Sequence, residues 1–190
     1  MAFVDGENLT IRGQQFAKRL GIELRDGEWW KENVYLWLPQ PEGIRPLGPL
    51  LAGASPADVP LEPRPTRAHY YTSLRGDDPK VNATRDALRH LHFHPSVFKK
   101  DGDRSKGVDI TLARDVLSHA YLNNYDLALL VAGDGDYLPL VEEVQHRGCI
   151  VVVAFFEEWT NPDLRRSADA FYNLSPLFER DWKVFLSKGE

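Results

Sequence analysis

The sequence predicts an α/β fold, a three-layer sandwich around a mainly parallel central sheet, and three observations carry that prediction. Past residue 66, short runs rich in β-branched and aromatic residues alternate with runs whose apolar residues recur at three- and four-residue steps. Strand-helix units repeated in this way imply parallel neighbours joined by right-handed crossovers. The 190 residues are 43% hydrophobic and 27% charged, an ordinary globular balance that excludes disordered, collagen-like and coiled-coil chains. That length favours one domain over 1–190, able to bury roughly 70% of its unfolded surface without a disulfide or structural zinc.

Taken in order, Ala2 to Val4 read as the first strand, and Leu9, Phe16, Ala17 and Leu20 as the apolar stripe of a helix ending at Gly21. Residues from about 22 to 66 break the rhythm and read as an insertion. Eight of the 13 prolines fall there (Pro39, Pro41, Pro46, Pro49, Pro56, Pro60, Pro63, Pro65), and proline lacks the amide hydrogen a central strand or helix needs. In its front half Asp26-Gly27 is a hairpin turn signal, followed by Trp29, Trp30, Tyr35 and Trp37. An edge hairpin whose indoles cover a sheet edge is favoured over a stacking platform for bases or a dimer contact, which leaves room for a homodimer.

The remaining strands are His69 to Thr72, Phe93 to Phe98, Leu127 to Val131 and Ile150 to Phe155. Val108, Leu112, Val116, Leu117, Ala120 and Tyr121 place one stripe on a helix from about Val108 to Asn123. Tyr137, Leu140, Val141 and Val144 mark a shorter helix that stops at Gly148. No internal repeat is present.

The N-terminus carries neither a basic nor an apolar leader region, and no apolar stretch reaches the roughly 20 residues that span a bilayer, so a soluble, cytoplasmic protein is expected. A net charge of -5 argues against nucleic-acid binding by global attraction alone. The lone Cys149 opens an apolar run and reads as an inert buried thiol.

Acidic residues gather where parallel strands end, the edge at which open α/β sheets bind ligands. Asp5 follows the first strand, Asp134 and Asp136 follow the Leu127 to Val131 strand, and Asp109 opens the helix feeding that strand. Each has a structural explanation: Asp109 as a first-turn or capping carboxylate, Asp134 and Asp136 as turn and cap residues. The coincidence of four aspartates from three elements on one rim favours a shared role. Two unit charges about 4 Å apart repel by about 4 kcal/mol at an effective dielectric of about 20, and a bound cation removes that cost. Mg²⁺ and Mn²⁺ suit such carboxylates, and the chemistry implied is attack of an activated water on a phosphodiester. Gly133 and Gly135 would let the backbone turn sharply and leave room for a substrate phosphate.

These residues resemble the NYN domain of the PIN-like nuclease superfamily, in its LabA-like bacterial branch. The matching segments are Phe3-Val4-Asp5-Gly6-Glu7-Asn8-Leu9, Lys106-Gly107-Val108-Asp109-Ile110, and Leu129 to Tyr137 followed by Pro139-Leu140-Val141. Gly148, Leu164 and Ser167 to Phe171 fit the C-terminal pattern. The likeness covers residues 1–21 and about 67–175. It implies a PIN-like sheet and a Mg²⁺- or Mn²⁺-dependent ribonuclease acting on single-stranded RNA. Asp5, Asp109, Asp134 and Asp136 are then the metal-binding catalytic set, with Asn8, and by the same token Thr111, orienting Asp5 or a metal-bound water. Ala132 stands where serine is frequent, Tyr137 where phenylalanine is common, and the insertion lies outside the pattern.

Lys99, Lys100, Arg104 and Lys106, with Arg75, Lys80, Arg85 and Arg89, could contact a phosphate chain, although interleaved aspartates make a solvated face the favoured reading. His90, His92 and His94 alternate but lack partners at zinc spacing, and no dinucleotide or P-loop signature occurs. Two rivals to the nuclease stand: an RNA- or protein-binding regulatory module with the acidic site retained and little turnover, and a different phosphoryl-transfer enzyme built on the Asp-x-Asp strand end.

Overall fold

The computed structural model describes residues 1–27, 29–37, 67–100 and 107–182. The chain opens with β1 (Ala2–Asp5) and α1 (Gly6–Arg19), then a small hairpin of β2 (Trp30–Lys31) and β3 (Tyr35–Leu36). Next come β4 (Ala68–Leu74), α2 (Asp78–His90), β5 (His94–Lys99), α3 (Val108–Tyr121) and β6 (Leu127–Val131). A 3₁₀ turn, Gly135–Tyr137, leads into α4 (Leu138–His146), followed by β7 (Ile150–Phe155), α5 (Pro162–Ser167) and β8 (Ala170–Asn173).

Six strands form one sheet in the order β5-β4-β1-β6-β7-β8, and every neighbouring pair is parallel. Both faces of such a sheet must be covered, which is why β6 and β7 are unbroken apolar runs. Alternation along the strands then sorts side chains between two cores. Val4 and Tyr70 point into the first, with Leu9 and Phe16 of α1 and Leu88 of α2. Phe3 and Tyr71 point into the second, with Leu112 and Val116 of α3, Val141 of α4 and Leu164 of α5.

The strand order reverses at β1, because the chain runs outward through β4 to β5, then returns to β6 on the other side. Val4 pairs with Val131, so Asp5 and the residues after Val131 leave the sheet side by side at its carboxyl edge. This is the topological switch point of a doubly wound sheet.

Helix starts follow from capping chemistry. Asp5 caps α1 by accepting the Asn8 N–H at 3.0 Å, and Asp77 caps α2 by accepting the Lys80 N–H at 3.0 Å, with Pro79 in the first turn. The asparagine of Asn161-Pro162 caps α5. Gly148 ends the α4 segment at a φ of 80°, as its position in the sequence predicts.

Three expectations change. The hairpin turns at residues 32–34, where Asn33 takes a φ of 57°, and Asp26 instead accepts the Glu32 N–H. The hairpin also covers a face of the sheet rather than an edge: Leu36 exchanges hydrogen bonds with the Tyr70 hydroxyl, Thr72 donates to the Val34 carbonyl, and Trp37 meets Phe93 edge-on at 4.9 Å. β8 is an additional strand beyond those read from the sequence. The proline-rich part of the insertion, residues 38–66, lies outside the described residues. No helix among the described residues is long and apolar enough to cross a membrane.

Candidate active site

At the carboxyl edge, Asp5 sits 4% exposed at the end of β1. Its Oδ1 is held by the Asn8 N–H and its Oδ2 receives the Tyr137 hydroxyl at 3.0 Å. The same hydroxyl lies 3.1 Å from Oδ1 of Asp109, its second acceptor. Asp109 stands in the first turn of α3, whose N-cap is Gly107 at a φ of 99° and contributes no side-chain bond. Asp109 therefore faces the site without serving as the cap.

Burial pushes the Asp5 carboxyl up to about 7; the Asn8 N–H opposes this and the Asp109 charge adds to it. Asp109 is raised as well, first by burial and then by the charges of Asp134, Glu7 and Asp136, with the Tyr137 bond opposing. Tyr137 rises through burial and the two carboxylates beside it. The site thus penalises negative charge at each of these positions.

Asp134 accepts the Asp136 N–H at 3.1 Å as the cap of the 3₁₀ turn, so the local turn role is real for that residue. Both carboxylates remain exposed and act on Asp109 through charge. What directly meets through one hydroxyl is the Asp5 and Asp109 pair; among the described residues, no group of three His, Cys, Asp or Glu is arranged to hold a metal ion. The Asn8 side-chain oxygen is buried with no hydrogen-bond partner among the described residues.

Gly133 and Gly135 are required for space rather than for a left-handed turn. A Cβ on Gly133 would stand 2.3 Å from the Phe155 ring and 2.6 Å from the Trp159 carbonyl; on Gly135 it would stand 2.5 Å from the Asn161 amide. On the Cβ side of both glycines the space is taken by Phe155, Trp159 and Asn161.

Glu7, Ser73 and Asn161 join the rim without being read from the sequence as site residues, and Lys100, one of the candidate phosphate contacts, joins them. Ser73 donates to Glu7 at 2.5 Å, and the Lys100 ammonium pairs with the same carboxylate. The Asn161 N–H holds the Gly133 carbonyl at 2.8 Å. Glu7 was visible beside Asp5 in the sequence, but its partners come from β4 and the end of β5, contacts that only the strand order creates.

Most of the basic residues have local partners: Lys99 with Asp78, Arg89 with Asp86, and Arg85 with Asn82 and the Val97 carbonyl. Arg104 and Lys106 lie outside the described residues. His90 ends α2, His92 occupies the following turn at a φ of 64° and His94 opens β5, so the three do not share a strand face. His94 instead stacks on His69 at 5.2 Å, at the amino edge of the sheet. Cys149 is partly rather than fully buried, and burial pushes its thiol up.

A family model described as the NYN domain matches residues 1–175. No curated protein matches the chain. Among solved structures, the crystal structure of a protein of unknown function from Vibrio parahaemolyticus is 29% identical, with 57% of this chain and 68% of that chain covered and a TM-score of 0.47.

Proposed function

The chain belongs to the NYN domain family, a nuclease-like superfamily, and from that premise we propose that it is a divalent-cation-dependent ribonuclease hydrolysing phosphodiester bonds in single-stranded RNA. One observation carries the reading. Asp5 and Asp109, 104 positions apart in sequence, meet through one hydroxyl at the switch point, in surroundings that raise both. A site that makes its own carboxylates costly is completed by positive charge.

The chemistry of the donors supports Mg²⁺ or Mn²⁺ as the cation. The donor set is entirely oxygen, and Mg²⁺ is ordinarily held by one or two carboxylates together with waters and substrate phosphates. Asp5 and Asp109 would hold the cation, with Asp134 and Asp136 adding field from the exposed side and Asn8 fixing Asp5. When bound, the cation supplies an activated water and stabilises the leaving oxygen.

The chain's own residues orient and exclude. Asp5 is fixed by two hydrogen bonds and shielded from bulk water, so its carboxylate presents one orientation. Lys100, paired with Glu7, keeps further ammonium donors for a phosphate oxygen at the rim. Gly133 and Gly135 let the Asp134–Asp136 turn pack directly against Phe155 and Asn161.

The test is cleavage of labelled single-stranded RNA across a Mn²⁺ and Mg²⁺ titration. Wild-type protein cuts; EDTA or Asp5→Asn lowers the rate by orders of magnitude, because water activation and leaving-group stabilisation are lost together. Full activity in EDTA, or in Asp5→Asn, would overturn the reading. Cation-dependent RNA binding without cleavage would favour the regulatory binding module instead.

A further inference from the structure

We infer that Tyr137 is a positioning residue, its hydroxyl holding Asp109 toward Asp5 before a divalent cation arrives; the inference rests on the proposed cation-dependent function. The two carboxylates differ in freedom. Asp5 is buried and already fixed through the Asn8 N–H. Asp109 is exposed on the first turn of α3, below a cap that makes no side-chain bond, and the charges of Asp134, Glu7 and Asp136 all repel it. Left to itself, that side chain gains by rotating into water.

The Tyr137 hydroxyl opposes this rotation. Its ring is 4% exposed and packed into the second core, so the phenol oxygen has little room to move. It bridges partners 132 and 28 residues away, at 3.0 and 3.1 Å. A buried tyrosine hydroxyl needs a polar partner, and here both partners are carboxylates of the candidate site. Hydrogen bonds to charged groups are the stronger kind, and groups held by a rigid support lose less freedom when a ligand binds. Phenylalanine at this position would preserve the ring's packing and release Asp109.

The experiment is calorimetric Mn²⁺ titration of the full chain, wild type against Tyr137→Phe, with near-ultraviolet circular dichroism to show that both are folded. The account expects Mn²⁺ binding roughly tenfold weaker in Tyr137→Phe, the size of one lost charge-assisted hydrogen bond. A role in packing alone would leave the affinity unmoved, since the ring remains. Equal or tighter binding in Tyr137→Phe would overturn the positioning role while leaving the cation site standing. Absence of Mn²⁺ binding in the wild type would overturn the cation-dependent function, and this role with it.

Discussion

Asp5 ends a strand, caps a helix and receives the Tyr137 hydroxyl while almost wholly buried, and each job constrains its charge differently. The cap bond favours the carboxylate, but burial outweighs it and lifts the group to about 7. A folded pKa above the unfolded value means that between about pH 4 and pH 7 the folded chain retains a proton the unfolded chain has lost. Stability from this group is therefore present at low pH, declines as pH rises through that window, and is flat above it. In EDTA, the difference in unfolding free energy between wild type and Asp5→Asn should move against the wild type from pH 5 to pH 7.5, as measured by urea unfolding at each pH. A difference independent of pH would show that Asp5 titrates normally. The aspartates themselves were legible in the sequence because each follows a strand or opens a helix. The Tyr137 hydroxyl was not, since tyrosine at that apolar position reads as a ring for the core, and its partners lie 28 and 132 residues away.

At the scale of elements, helix periodicity and strand composition locate β1, β4 to β7, α1, α3 and α4 to within two or three residues, whereas α2 and α5 have no bounds read from the sequence. The hairpin shows where local signals stop. Asp-Gly is a turn pair, yet the chain turns at residues 32–34, because the register is set by Trp30, Leu36 and Trp37 entering the core over α1 and β4. β8 escaped notice since its four residues are all half-buried at the sheet's edge and lack a strong apolar run. Trp37, 4% exposed, belongs to the first core. Trp37→Ala should lower stability by about 3 to 5 kcal/mol in denaturant unfolding and leave the RNA affinity of the folded protein unchanged. Loss of about 1 to 3 kcal/mol of RNA affinity with little change in melting would instead make the hairpin a stacking platform.

Across the whole molecule, the parallel strand order accounts for the site. Only because β1 lies between β4 and β6 does Asp5 meet the β6 turn on one side and the Ser73 and Lys100 partners of Glu7 on the other. The sequence implied the carboxyl edge of the sheet from alternating strands and helices, while the switch point and the neighbours of each strand end came from topology. Two cores brace the sheet, and the acidic rim is the place where charge opposes folding, a cost that the proposed cation would offset. The measurement that bears most directly on this claim is the thermal melt of wild type and Asp109→Asn, each with EDTA and with Mn²⁺. Asparagine keeps the side chain's shape and removes a charge that the folded state disfavours, so in EDTA the variant should melt at or above the wild type. Mn²⁺ at about 100 times its dissociation constant should stabilise the wild type by about 2.7 kcal/mol and the variant much less. If Mn²⁺ shifts neither melt and Asp109→Asn is destabilised in EDTA, the rim is a set of helix-end carboxylates and the account is contradicted.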